Sequence, residues 1–158
     1  MKFFRIIMPV LLIALMILIF CLSAQTATES SGTSGNFISV LISFFDSSFD
    51  ELSEAEQEAY IEPFQFIVRK GAHFSAYALM GALALLSVIT YRNINIKCRY
   101  IISCGVCLLY AVSDEFHQHF VAGRSCELRD VLIDFSGVLF ATLILSFVLR
   151  LKRFKKFV

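Results

Sequence analysis

The chain has 158 residues, 58% of them apolar and only 17% charged, with a mean hydropathy of +0.74. An ordinary soluble domain carries ~25% charged residues and is under half apolar, so one small domain cannot bury this much apolar surface without lipid. That excludes a soluble globular enzyme, a disordered chain and a nucleic-acid binder, and the net charge of +1 informs only through its distribution.

Four apolar runs follow in chain order: Ile6 to Leu22, broken by Pro9; Phe74 to Thr90; Tyr100 to Val112; and Val131 to Leu149, with Asp134 inside it. A membrane-spanning helix needs ~17 to 25 residues, so the third run must carry flanking polar residues into the bilayer. The first run is longer than the ~7 to 15 apolar residues of a cleaved signal, and is read as a retained helix. One domain over 1–158 is expected, with membrane helices near 6–23, 72–91, 100–117 and 131–150 and an outer loop over 24–69.

Basic residues orient the spans, because short loops rich in Lys and Arg stay in the cytoplasm. Lys2 and Arg5, the turn with Arg92, Lys97 and Arg99, and the tail with Arg150, Lys152, Arg153, Lys155 and Lys156 all fall on one side; these are ten of the 14 basic residues. The 13 acidic residues fall on the other side or at outer helix ends. The expected fold class is therefore an all-α membrane protein: a four-transmembrane-helix bundle with both termini cytoplasmic.

The outer loop is expected to hold interfacial or short helices. Thr26 to Gly35 is rich in Ser, Thr and Gly and reads as a flexible link. Val40, Leu41, Phe44, Phe45 and Phe49 recur at helical spacing and read as the apolar face of an interfacial helix. Ser53 and Glu56 match a capping box, opening a short acidic helix that ends or bends near Pro63. Cys21, Cys104 and Cys107 read as small buried hydrophobes, and with Cys126 the one external cysteine besides them no disulfide framework is expected.

Polar residues within the spans converge in depth. At ~1.5 Å per residue from the cytoplasmic basic residues, Tyr77, Asp114, Glu115 and Asp134 all lie ~22 to 24 Å up. Lys70, His73, His117, Gln118 and Asp130 lie just above them. Lys70, His73, Tyr77 and Gly81 share one helix face; so do Tyr110, Asp114, His117 and Gln118, and so do Asp130, Asp134, Gly137 and Ala141. The small residues Gly81, Gly137 and Ala141 favour close helix approach below that layer. Ionisable groups at membrane depth are costly and mark functional sites by default.

The stretches Arg69-Lys70-Gly71-Ala72-His73-Phe74-Ser75-Ala76-Tyr77, Ser113-Asp114-Glu115-Phe116-His117-Gln118-His119-Phe120-Val121-Ala122-Gly123-Arg124 and Asp130-Val131-Leu132-Ile133-Asp134-Phe135-Ser136-Gly137 resemble the VanZ-like family, as does Ser23-Ala24-Gln25 after the first helix. The resemblance covers most of the chain. It departs at Ala122, where the family carries Pro, and at Ala141, where it carries Gly. The family's founding member is linked to low-level resistance to the glycopeptide teicoplanin in Gram-positive bacteria, which implies a phenotype class and a bacterial plasma membrane but no reaction.

The residues themselves favour a ligand site at the outer leaflet formed by Lys70, His73, Tyr77, Asp114, Glu115, His117, Gln118, Gly123, Arg124, Asp130 and Asp134. Lys70 and Arg124, with Arg69 and Arg129 nearby, suit a phosphate or pyrophosphate head group, and Gly123 suits close approach of backbone to it. The expected partners are the lipid bilayer and an isoprenoid phosphate or other anionic lipid, with no nucleic acid. Other readings stay open. His73, Asp114, Glu115 and His117 are candidates for acid/base catalysis on a lipid head group, without an identifiable nucleophile. His73, Asp114, His117 and Asp134 are of metal-ligand type, but no compact ligand spacing supports them, so neither metal nor cofactor is expected. Pairing of the acids with Lys70 and Arg124 would equally compensate buried charge.

Overall fold

The computed structural model describes residues 2–91 and 93–154. Arg92, Lys155 and Lys156, used above for orientation, lie outside the described residues, as do the side chains of Lys2, Arg150, Lys152 and Arg153. Among these residues five α-helices form: α1 (Lys2–Ser23), α2 (Ala27–Phe45), α3 (Glu54–Ile89), α4 (Ile96–Gln118) and α5 (Leu128–Phe154), with a 3-10 helix at Ser47–Glu51. Among the described residues there is no strand. Helices α1, α3, α4 and α5 are long and apolar enough to cross a membrane, and the chain is an all-helical, multi-pass membrane protein.

Two segments differ from the sequence expectation. Thr26 to Gly35 is not a flexible link but the first half of α2. The Thr26 hydroxyl accepts from the Glu29 backbone N–H at 3.3 Å, and the Glu29 carboxylate accepts from the Thr26 N–H at 2.8 Å. That reciprocal cap satisfies end groups that Ser, Thr and Gly would otherwise leave to solvent. The acidic helix opening at the Ser53–Glu56 cap does not end near Pro63 but runs on as the membrane helix, giving the 36 residues of α3. Proline removes one backbone bond, which a helix tolerates when packing holds it. Ile61, next to Pro63, is buried with Ile38 of α2 and Phe49 of the 3-10 helix. At about 54 Å, α3 exceeds the ~30 Å hydrocarbon thickness, so its first turns stand clear of it and α2 folds back along them.

Helix α2 retains the expected apolar stripe, with Phe37, Val40, Leu41, Phe44 and Phe45 exposed, as an interfacial helix requires. Phe49 does not extend this stripe, because it turns inward and is 2% exposed. Cys21 is exposed on α1, whereas Cys107 is fully buried and Cys104 partly so; all five cysteines are free thiols.

The core lies between α1, α3, α4 and α5, around Ile19, Tyr77, Met80, Cys107, Ala111 and Val138. Helix α3 packs against α1, α2, α4 and α5. Its contact with α5 is close: a Cβ on Gly137 would lie 2.3 Å from the Phe74 carbonyl oxygen. At one end of the bundle the Arg5 guanidinium donates to the Thr90 carbonyl at 3.0 Å and lies over the Tyr91 ring, while Arg99 donates to the Tyr91 carbonyl. The polar layer gathers at the other end.

Candidate functional site

Asp114 is the hub of that layer. It sits on the buried face of α4 and is 2% exposed. Its Oδ2 accepts from Ser23 Oγ at 2.9 Å, from Tyr77 OH at 3.1 Å and from Gln118 Nε2 at 3.2 Å. Three helices supply these donors. Ser23 is the last residue of α1, Tyr77 lies in mid-α3, and Gln118 stands one turn beyond Asp114 on α4, where an i, i+4 pair shares a face. Asp114 Oδ1 is buried and has no hydrogen-bond partner.

Asp134 approaches from α5 and is also 2% exposed. His73 Nδ1 stands 3.5 Å from Asp134 Oδ1, and that oxygen too has no hydrogen-bond partner. His73 precedes Tyr77 by four residues, so α3 presents imidazole and phenol on one stripe to the two carboxylates. One ligand-type atom each of His73, Asp114 and Asp134 falls within 4.8 Å of the others. Above them Lys70 pairs with Asp130 at 2.5 Å and lies over the Phe66 ring.

Arg124 forms the rim, in the loop between α4 and α5. Its Nε donates to the Gln25 carbonyl at 3.1 Å, and its Nη1 donates to Gln118 Oε1 at 3.1 Å. Gln118 therefore bridges Asp114 to Arg124. The loop turns at Gly123, whose φ of 75° suits glycine and where a Cβ would meet Ala27 Cβ at 2.9 Å. The Ala27 N–H donates to the Ala122 carbonyl at 3.2 Å, seating α2 on the loop. Arg69 makes no hydrogen bond or ion pair among the described residues, yet lines two cavities together with His73 and Arg124. One cavity is about 130 Å³ and mostly apolar, between α1, α2 and α3. The other is about 210 Å³ and polar, bounded by Lys70 and Asp130. Burial, and next the like charge of Arg69, hold the Arg124 guanidinium below its ordinary value, against the opposing pull of Asp114, Glu115 and Asp130.

The structure thus brings together His73, Tyr77, Asp114, Gln118, Arg124 and Asp134, with Lys70 and Asp130 paired at the edge. Three residues named from sequence make other contacts. Glu115 is buried, and its Oε1 accepts from the Glu127 backbone N–H at 2.8 Å, fastening the α4–α5 loop. His117 stacks on Phe20 with ring centroids 4.4 Å apart and does not join the group around His73. Gly123 lines the polar cavity, and a Cβ added there would meet Ala27 at the start of α2. Ser23 and the Gln25 carbonyl were absent from the sequence-based site. Their signal was the Ser-Ala-Gln triplet ending α1, which hydropathy alone treats as the edge of a span.

Chemically, the arrangement joins a cationic rim, an apolar cleft and two buried carboxylates that each keep one oxygen unpaired. No curated protein and no solved structure matches the chain at a significant level. The profile of the VanZ/LLP1 family matches residues 8–150, and the chain belongs to that family.

Proposed function

We propose that this protein binds the anionic head group of an envelope lipid, an isoprenoid phosphate or similar, at the outer leaflet of a bacterial plasma membrane. The outer placement rests on the positive-inside distribution, which keeps both termini in the cytoplasm. The observation that carries the reading is Arg69: an arginine with no hydrogen-bond or ion-pair partner among the described residues, next to Arg124, where an apolar cleft meets a polar cavity. Guanidinium groups hold phosphate oxygens bidentately, and the apolar cleft suits the first methylenes of a chain. Sequestering such a lipid would link the protein to teicoplanin tolerance.

Native mass spectrometry of the protein released from nanodiscs tests this, with isoprenoid monophosphate and a neutral isoprenol as probes. Arg69→Ala removes a charge without removing a hydrogen bond or ion pair among the described residues, so the fold is expected to persist. Hydrogen bonds to charged groups are worth ~1.5 to 3 kcal/mol, so phosphate retention should fall ~10- to 100-fold. Equal retention of phosphate and alcohol, or of phosphate by wild type and Arg69→Ala, would overturn the proposal. In cells, expression should raise teicoplanin tolerance and Arg69→Ala should cancel the rise. A second reading, head-group hydrolysis or transfer, draws on His73 beside Asp134 as an acid/base pair; phosphate release from the same probe distinguishes it.

A further inference from the structure

We propose that His73, Asp114 and Asp134 form a binding site for one divalent cation of the Zn²⁺ or Mn²⁺ class. They come from three different helices, α3, α4 and α5, yet one donor atom of each lies within 4.8 Å of the others. Imidazole with two carboxylates is a donor set that these ions accept. Metal bonds of ~2.0 to 2.2 Å require the donors to close inward around the ion, a movement that side-chain rotation supplies.

Three further observations point to a cation rather than to a structural polar cluster. Each carboxylate is 2% exposed, and each leaves its Oδ1 buried without a hydrogen-bond partner. Buried oxygens of native proteins are ordinarily paired, so two unpaired oxygens beside one imidazole suit the bonds of an ion. The orientation of Asp114 is already set: Ser23, Tyr77 and Gln118 hold its Oδ2 and leave Oδ1 over. Outer-shell hydrogen bonds of this kind steer a ligating carboxylate. Finally, no lysine or arginine among the described residues pairs with either carboxylate: Lys70 is committed to Asp130, Arg124 to Gln25 and Gln118, and Arg69 forms no ion pair. A divalent ion balances the two carboxylates while leaving the imidazole neutral, as a ligand must be.

Three protein ligands leave coordination positions open, the pattern of catalytic rather than structural sites. His73 lines both cavities that hold Arg69 and Arg124, so a water or a phosphate oxygen can complete the shell. The metal site stands on its own geometry; only a phosphate oxygen as its outer ligand rests on the head-group reading.

The test uses full-length protein in detergent, stripped with chelator, then loaded separately with Zn²⁺ and Mn²⁺ and analysed for metal content. About one ion per chain is expected, together with a rise in melting temperature on loading. His73→Ala and Asp134→Asn should each lower bound metal at least tenfold and abolish that rise, while Glu58→Gln, at an exposed position on α3, keeps both. Monodisperse elution and a cooperative melt identify the variants that fold; where Asp134→Asn does not, His73→Gln decides. Less than a tenth of an ion per folded chain with both metals, or undiminished metal in the folded His73 and Asp134 variants, overturns the proposal. Lipid retention on the same samples separates the two ideas: metal without lipid sinks only the head-group reading, and lipid without metal sinks only this one.

Discussion

Gly137→Ala is the sharpest test of how the site is held. The added Cβ would lie 2.3 Å from the Phe74 carbonyl oxygen, 3.1 Å from the Ala78 nitrogen and 3.2 Å from the Phe74 carbonyl carbon. All three are backbone atoms of α3, so no rotamer change relieves the clash. Ordinary contact begins near 3.4 Å, and restoring it moves α5 off α3 by about 1 Å along that line. Overpacking of this kind costs ~1 to 3 kcal/mol, and the upper end is expected because rigid helix backbone must yield. With ~2 to 4 °C per kcal/mol for a chain of this size, the melting temperature should fall by ~6 to 12 °C. Gly105→Ala is the matched control: a Cβ there meets nothing within 4 Å, and helix propensity alone predicts a gain of up to ~1 kcal/mol. Asp134 lies one turn before Gly137, and His73 directly precedes Phe74, so the same displacement should separate those two side chains. Thermal unfolding in one detergent, followed by a thiol-reactive dye in a background where the exposed Cys21, Cys98 and Cys126 are replaced by Ser so that buried Cys107 reports, reads both variants. If Gly137→Ala melts within ~2 °C of wild type, then α3 and α5 do not depend on this close approach and the argument for how the site is built is wrong.

Three other outcomes follow from the same geometry. Tyr77→Phe and Ser23→Ala each remove one donor from the buried Asp114 carboxylate. Each should cost ~1 to 3 kcal/mol in a denaturation series, and combination with Asp114→Asn should cost less than the sum. Gly123→Ala places a side chain at φ 75° and 2.9 Å from Ala27 Cβ. It should cost ~1 to 3 kcal/mol and speed proteolysis between α4 and α5, and Ala27→Gly should recover only the contact share of that loss. The Glu29 carboxylate is held below its ordinary value by the Thr26 backbone N–H and then the Thr26 hydroxyl. Its capping contribution is therefore full above the usual carboxylate pKa of ~4.3 and lost as pH falls through the lower folded value. Hydrogen exchange over residues 26–31, corrected for intrinsic rates, should accelerate below that point in wild type and show no such step in Glu29→Gln.

Hydropathy and helical period are local properties, so the sequence by itself determined four membrane helices, the polar stripe on three of them and the shared depth of Tyr77, Asp114 and Asp134. The cap at Ser53 was legible for the same reason, since its partners are three residues apart. Adjacent residues on a helix point ~100° apart, so Asp114 and Glu115 could not both face one centre, yet nothing local says which of them does. Packing of α3 against α5 at Gly137, with Cys107 and Ala111 of α4 buried in the core, sets the rotation of the helices. That rotation turns Asp114 toward Asp134 and His73, while Glu115 reaches the Glu127 N–H and His117 lies against Phe20. The long helix through Pro63 likewise needed α2, because Ile38 and Phe49 bury Ile61 from segments that hydropathy treats as separate. Ser23 and Arg69 gained their places only when α1 and α3 met. The composition of the site was written in local spacing, and its membership was decided by how the helices face one another.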